Sequence, residues 1–286
     1  MNKNLLGILL MTLGMFSLSI NDMTYKSLTM NFPVWEAVFF RALSGSIISI
    51  FLVYRSGIIS IKTKKPVRHF VRAFSAVGCV VLYIFGIKYL LLSENQAIFH
   101  VSPIIATLLA VPILGEKIGF HRIIAVLIGF IGTLIILKPG TDLFNIYSLI
   151  PIASAFFMAF AYLSTRYLMS TETSISIIFY YSCALLFTSL FFVSKDFLFP
   201  TFQELTILLS TGVVGSIGHY FLAQAAKNAE VIVITPFEYT SFIFVTLLGY
   251  IFYKEIPDIS IYIGMILIVI SGIYIVYREK RDMKKI

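Results

Sequence analysis

Long runs of apolar residues alternate along the chain with short polar segments. Four of the uncharged runs extend over residues 4–21, 143–165, 173–194 and 259–277. A helix that crosses the hydrocarbon core of a bilayer needs about 20 predominantly apolar residues. The pattern therefore predicts an all-α polytopic membrane protein.

We predict ten transmembrane helices, joined by connections too short to hold a further domain. The spans are expected at residues 4–28, 33–54, 68–91, 94–113, 120–138, 147–168, 174–194, 203–226, 231–253 and 259–278. The first apolar run lacks the short apolar stretch and small-residue cleavage site of a signal peptide, so it is interpreted as the first span. We therefore expect the functional site to lie within the membrane.

Composition agrees with this class. Hydrophobic residues make up 59% of the 286 residues and charged residues 13%, whereas soluble domains have about 45–50% and about 25%. The mean hydropathy is +0.94. Cys79 and Cys183 both lie in apolar runs, which predicts neither a disulfide framework nor a cysteine metal site.

The basic residues indicate topology, not a nucleic-acid partner, because they lie between the apolar runs. Cytoplasmic loops are enriched in Lys and Arg. With the N-terminus inside, 16 basic residues fall on the inner side and 5 on the outer side. The outer five are Lys26, Lys88, Lys138, Lys195 and Lys254. Both termini are therefore predicted to be cytoplasmic.

The two halves of the chain are similar. Residues 103–116 (PIIATLLAVPILGE) and residues 242–255 (FIFVTLLGYIFYKE) place a Glu at the same 13-residue spacing. Five spans separate the two copies, and an odd number gives them opposite orientations. We therefore expect two inverted five-helix repeats, residues 1–139 and 140–286. Inverted repeats are typical of secondary transporters with a midplane site at the repeat interface.

This organisation resembles the drug/metabolite transporter superfamily, EamA type. The resemblance covers essentially the whole chain and is carried by the 5+5 layout, Pro103 with Glu116, the basic loop after span two and the basic tail. The second half departs from the pattern, since Phe242 stands where Pro is expected and Pro236 lies six residues earlier. The resemblance implies a transporter of a small organic metabolite in the bacterial inner membrane, which works by alternating access and is not an enzyme.

Within that superfamily, the end of span one and the start of span two are most similar to the S-adenosylmethionine uptake transporters of obligate intracellular bacteria. The matching residues are Asn21, Asp22, Lys26, Pro33, Glu36, Phe39, Phe40 and Arg41. The resemblance implies uptake or exchange of S-adenosylmethionine. Glu238 or Asp22 would then balance its amino and sulfonium charges, and Arg41 would bind its carboxylate. Related members carry amino acids, vitamins and nucleotide-sugars, which stay alternative substrates.

Ionisable side chains within apolar spans are costly and are therefore functional candidates. Asp22, Lys26, Glu36 and Arg41 lie near the outer ends of spans one and two. The charges of these two acidic and two basic side chains sum to zero. This fits either a neutral network that fixes the two helices or an extracellular gate whose ion pairs exchange partners.

Glu238 lies about a third of the way along span nine, two residues after Pro236. Proline interrupts helical hydrogen bonding, and irregular backbone at membrane depth usually lines a cavity. No basic residue follows Glu238 within ten positions. This predicts a carboxylate that recognises a cationic group or carries a proton. The alternative is a carboxyl that is protonated or paired with a distant helix.

Two histidines and several tyrosines complete the predicted binding site. An offset of 139 residues pairs His100 in span four with Tyr239 in span nine, which places both near the central cavity. His219 in span eight is expected to be buried. Tyr83 and Tyr162 are further candidates, because sulfonium and adenine groups bind aromatic rings. Structural packing is the alternative for each of these residues.

Three further expectations are structural. Gly212, Gly215 and Gly218 recur every three residues on span eight, which favours either close helix packing or a bending point. The Gly-Glu and Lys-Glu pairs that end at Glu116 and Glu255 are interpreted as helix caps. His69 and His121 are expected at the cytoplasmic surface.

No metal or cofactor is predicted, since the histidines are scattered and lack carboxylates at ligand spacing. The sequence leaves the oligomeric state open. A membrane-embedded methyl- or acyltransferase that uses Glu238 or His100 as a base is the competing function. The polar residues are spread singly over many spans, which favours the carrier.

Overall fold

The computed structural model describes residues 3–114, 120–139, 144–168, 171–193, 197–229 and 231–283. Within these ranges the chain is helical and contains no β-strand. The helices are α1 (Lys3–Asn31), α2 (Val34–Ser56), α3 (Pro66–Tyr89), α4 (Leu92–Phe99), α5 (Ser102–Leu114), α6 (Phe120–Leu137), α7 (Leu149–Leu168), α8 (Ser174–Val193), α9 (Phe202–Asn228), α10 (Val231–Glu238), α11 (Thr240–Tyr253) and α12 (Ile259–Met283). Short 3-10 turns occur at Ile58–Ile61 and Ile146–Ser148.

Several of these helices are suited to cross a bilayer. By length and composition, six in the described ranges qualify, which are α1, α2, α3, α7, α8 and α9. Ile123–Leu137 and Ile259–Ile275 are shorter apolar helical stretches. The all-α, multi-pass class expected from the hydrophobic pattern is confirmed. The count of ten spans and the orientation stay predictions.

Two of the expected spans are interrupted. The range of span four is divided between α4 and α5 at His100 and Val101, and that of span nine between α10 and α11 at Tyr239. His100 has φ −65° and ψ 0°, and Tyr239 has φ −73° and ψ −8°. Each break is therefore a tight turn. Pro103 and Pro236 each lie three residues from a break, and each removes one helical hydrogen-bond donor there.

The helix order repeats with the same offset of 139 residues that relates Glu116 to Glu255. Shifting α4 from 92–99 by 139 gives 231–238, the bounds of α10. The same shift takes the start of α6 from 120 to 259, where α12 begins. The two helix breaks are thus equivalent positions.

The two halves exchange their packing partners. The most extensive helix contacts are α1 with α9, α6 with α12, α3 with α7 and α2 with α8. Under the offset α1 corresponds to α7 and α3 to α9, so the contacts of α1 with α9 and of α3 with α7 are equivalent. The pairs α2 with α8 and α6 with α12 each join a helix to its counterpart. This exchange is the contact pattern expected for halves related by a pseudo-two-fold axis.

The glycines of α9 allow close helix packing. A Cβ placed on Gly212 would lie 1.9 Å from Oγ of Ser44 in α2. A Cβ on Gly218 would lie 2.8 Å from the Leu18 side chain in α1, and one on Gly215 would lie 3.1 Å from Nδ2 of Asn21. These glycines therefore hold α9 against α1 and α2, which favours the packing interpretation.

His69 is not a surface residue, and this expectation was wrong. Its side chain is buried in the first turn of α3, with Nε2 3.4 Å from Oε2 of Glu172. The Tyr180 ring covers it at a centroid distance of 4.6 Å. The turn before α8 lies near the start of α3 and is joined to the segment before it, since Thr173 Oγ1 donates to the Ser60 carbonyl at 2.6 Å. The side chain of His121 lies outside the described residues.

Candidate functional site

The two helix breaks meet at the interface between the halves. The rings of His100 and Tyr239 have a centroid distance of 5.0 Å and an interplanar angle of 51°. Gln96 of α4 donates from Nε2 to Oγ of Ser241 in α11 at 2.9 Å, and His100 Nε2 lies 3.1 Å from the same oxygen. The Ser241 hydroxyl donates to the Glu238 carbonyl at 2.8 Å, across the break. The proximity expected for His100 and Tyr239 is present.

A chain of hydrogen bonds runs from this contact to α1. The Tyr83 hydroxyl is 2.9 Å from Oδ2 of Asp22 and also contacts Oε1 of Gln96. On its other side, the Gln96 amide nitrogen lies 3.2 Å from His100 Nε2. Asp22, Tyr83, Gln96, His100 and Ser241, which we call the central relay, therefore connect α1, α3, the α4 break and α11.

The hydrogen bonds of the central relay restrict where its protons can lie. A tyrosine hydroxyl carries one proton, so Tyr83 cannot donate to Asp22 and Gln96 at once. Either Asp22 is protonated and donates to Tyr83, or the Gln96 amide is reversed and its NH2 group donates. The two ends of an amide are interchangeable in shape. The protonation of Asp22 is thereby linked to the direction of the Gln96 amide, and through it to the helix break.

The structure does not join the four charged residues of spans one and two into one network. Those residues are Asp22, Lys26, Glu36 and Arg41. Among the described residues, no ion pair connects any two of them. Glu36 instead accepts a hydrogen bond from the backbone nitrogen of Leu198 at 3.1 Å. The reason is that α1 packs mainly on α9 and α11 and only slightly on α2.

Lys26 forms its ion pair with the other half of the chain. Its Nζ is 3.1 Å from Oε1 of Glu255, and both side chains are nearly buried. Nζ also donates to the carbonyl of Leu90, and Oε2 of Glu255 accepts from the backbone nitrogen of Leu92 at 2.8 Å. This group, the outer latch, ties α1, the start of α4 and the end of α11 together at the predicted outer end.

The outer latch refines the cap interpretation of the repeated Glu. Glu255 does bind a free backbone N–H at a helix start, but that helix is α4 of the other half. Orphan N–H groups at helix starts need such acceptors. Glu116, the counterpart of Glu255, lies outside the described residues.

The remaining predicted site residues are less enclosed. Glu238 is half-buried at the end of α10, and within the described part of the chain its carboxylate has no ion pair. His219 was expected to be buried, but its side chain is exposed. Tyr162 is 58% exposed on α7. The structure therefore brings Asp22, Tyr83, His100 and Tyr239 together.

A groove of about 330 Å³ lies between α11 and α12. Tyr239 and Phe242 contribute to its wall. Ile243 and Ile266 on its rim are more than half exposed on the outside of the bundle. Because this rim is apolar and faces outward, the groove is placed to contact lipid chains and is not the central site.

A profile of the EamA-like transporter family matches residues 5–138 and, separately, residues 145–278. The chain belongs to this family. The EamA-like match covers both halves, which agrees with the repeated helix order and the paired breaks.

Named relatives of the EamA-like chain are transporters. The S-adenosylmethionine uptake transporter of Rickettsia felis is 28% identical over 98% of this chain and 96% of its own. The pseudopaline exporter CntI of Pseudomonas aeruginosa is 28% identical over 93% and 94%, and the riboflavin transporter of Vibrio cholerae is 28% identical over 79% and 76%. One solved crystal structure aligns with 98% of both chains at a TM-score of 0.64 and 17% identity, which supports the fold.

These similarities assign the general activity. The EamA-like chain is a multi-pass membrane transporter of a small molecule, and it is not an enzyme. The expectation of a transporter is confirmed at this level.

Proposed function

We propose that this protein is a secondary carrier of the bacterial inner membrane that works by alternating access. It has ten spans in two inverted repeats, residues 1–139 and 140–286, with both termini cytoplasmic. The observation that carries the proposal is the contact between the equivalent helix breaks at His100 and Tyr239. Carriers with inverted repeats bind substrate where such discontinuous helices meet near the midplane.

The outer latch gives this carrier a closed outer end. Opening that end requires α1 and α4 to separate from α11, which breaks the contacts of Glu255 with Lys26 and with the backbone of Leu92. The central relay lies below the latch and crosses the same interface. A movement of one repeat against the other therefore acts on both groups.

The best-supported substrate is S-adenosylmethionine, taken up into the cell. The support is the resemblance at the ends of spans one and two and the similarity to named uptake transporters. Asp22 and Glu238 supply carboxylates for its amino and sulfonium groups. The rings of Tyr83, His100 and Tyr239 supply faces for the adenine and the sulfonium.

The predicted roles of Tyr162 and His219 in binding need an open state, because both side chains are exposed. A second candidate is export of an amino-acid-derived metabolite. The similarity to the pseudopaline exporter, also at 28% identity, favours it.

Transport by purified protein in proteoliposomes tests the proposal. The vesicles are offered a panel of labelled S-adenosylmethionine, amino acids and riboflavin, with empty vesicles as the control. We expect accumulation of S-adenosylmethionine that saturates with concentration. Accumulation of another metabolite alone would overturn the substrate, and leakage without saturation for every compound would overturn the carrier mechanism.

A further inference from the structure

Among the described residues, two arginine side chains lie inside the helix bundle without a carboxylate at ion-pair distance. Arg41 of α2 donates from Nη1 to the Tyr25 hydroxyl at 3.1 Å. Arg72 of α3 donates from Nε to Oγ1 of Thr165 at 3.2 Å and from Nη1 to the Ile177 carbonyl at 3.4 Å. Among the described residues, neither guanidinium takes part in an ion pair.

The two arginines enter the bundle from opposite ends. Arg41 is seven residues from the start of α2 and Arg72 is six residues from the start of α3, which is about 10 Å along each helix at 1.5 Å per residue. Their side chains converge on Tyr181. Arg72 lies over its ring with 5.2 Å to the centroid, and Arg41 interacts with it electrostatically.

Gly215 and His219 of α9 lie beside this pair. The Arg41 guanidinium rests near the bare backbone of Gly215, where an added Cβ would be 3.8 Å from Nη1. His219 follows one helical turn later on α9 and interacts electrostatically with both arginines. The His219 side chain is nevertheless exposed.

Most N–H donors of the two guanidinium groups have no partner among the described contacts. Each guanidinium has five N–H donors, of which the described contacts use one on Arg41 and two on Arg72. A charged group at membrane depth is costly unless it is paired. Asp22, which interacts with Arg41 at longer range, is already hydrogen bonded to Tyr83.

We propose that Arg41 and Arg72 form an anion-binding subsite that holds the carboxylate of the transported molecule. Guanidinium groups bind carboxylates with paired, charge-assisted hydrogen bonds. The inference rests on the proposed carrier function and narrows the substrate class to metabolites that carry a carboxylate, such as amino-acid derivatives. Asp22 and Glu238 then serve the cationic part of the same molecule.

The first test compares S-adenosylmethionine with its decarboxylated analogue, which keeps the adenosine and both cationic groups. We expect the purified protein in nanodiscs to bind S-adenosylmethionine at least tenfold tighter, about 1.4 kcal/mol. Arg41→Gln and Arg72→Gln should each remove most of that preference. Arg55→Gln, at the exposed inner end of α2, is the matched control. Arg41→Lys and Arg72→Lys keep the charge if a glutamine variant fails to fold.

A second measurement separates this inference from the identity of the substrate. The thermal stability of the protein is compared in sodium succinate and in sodium chloride of equal ionic strength. If S-adenosylmethionine does not bind but succinate stabilises the wild type and not the arginine variants, the subsite stands and the proposed substrate falls. If S-adenosylmethionine and its analogue bind equally to wild type and variants, the subsite is overturned. The absence of binding and of any succinate effect would overturn both.

Discussion

Replacing Glu255 with glutamine removes one charge of the outer latch and keeps the shape of the side chain. In the wild type, the carboxylate is 3.1 Å from Lys26 Nζ and accepts from the Leu92 nitrogen at 2.8 Å. A glutamine retains one acceptor oxygen for these two donors. The Lys26 ammonium is then left with the Leu90 carbonyl as its remaining described partner.

The expected loss of stability in Glu255→Gln follows from the burial of the ion pair between Lys26 and Glu255. The side chains of Lys26 and Glu255 are 10% and 8% exposed. Removing one partner of a buried ion pair costs about 3–5 kcal/mol, because the remaining charge is uncompensated. We expect the lower end, about 3 kcal/mol, because Lys26 keeps a carbonyl acceptor. The double variant Lys26→Met/Glu255→Gln should recover much of this loss, since it leaves no unpaired charge.

The assay is thermal and denaturant unfolding of the purified protein, with Asp258→Asn as the control. Asp258 forms an ion pair of the same length, 3.1 Å, with Lys138, but there the carboxylate side chain is 55% exposed and the lysine side chain 24%. Hydrogen bonds from Ser260 hold the pKa of Asp258 at about 2, so the control also removes a charge at neutral pH. Solvent screens exposed pairs, and the control should unfold like the wild type.

Two outcomes would refute this reasoning about the outer latch. The first is a Glu255→Gln variant that is as stable as Asp258→Asn. The second is a double variant that is no more stable than Glu255→Gln alone, which would show that the unpaired Lys26 charge carries no cost.

The remaining predictions concern helix packing, the central relay and the carboxylate of Glu238. Gly212→Ala should destabilise the protein by about 1–3 kcal/mol through overpacking against Ser44, while Gly45→Ala, which meets open space, should not; equal melting temperatures would contradict this. Gln96→Leu should slow uptake at least tenfold and flatten its pH profile, and an unchanged profile would exclude the central relay from transport. Glu238→Gln should weaken uptake of a cationic substrate more than tenfold, about 1.4 kcal/mol. Near-normal affinity would contradict a role of Glu238 in substrate recognition. Unchanged affinity with lost pH dependence would show that Glu238 is a proton-coupling residue.

Local features of the sequence predicted the helices and the proximity of His100 to Tyr239, whereas the break in span four was not predicted. Hydrophobic length alone places α1, α2 and α3 within a few residues of the expected spans. The repeated spacing to Glu116 and Glu255 gave the offset that relates His100 to Tyr239, and these rings are in contact. The length of an apolar run and the repeated spacing are both features of the linear sequence, so one sequence is enough to detect them.

The partners of the polar side chains were not predictable in the same way. Lys26 shares a helix face with Asp22 in the sequence, but it pairs with Glu255 because α1 packs against α11. Gln96 carries no charge, so a pattern of ionisable residues within spans does not single it out. Arg72 is one of the 16 basic residues that the topology places on the inner side, although its side chain reaches Tyr181 inside the bundle. Each of these contacts depends on how helices from different halves pack.

Counterflow in proteoliposomes tests the carrier mechanism most directly. Vesicles are loaded with unlabelled S-adenosylmethionine and diluted into a trace of the labelled compound. An alternating-access carrier predicts a transient accumulation of label above its equilibrium level, because exchange is driven by the outward gradient. We expect this overshoot in the wild type. A monotonic approach to equilibrium at the same rate in loaded and unloaded vesicles would contradict alternating access.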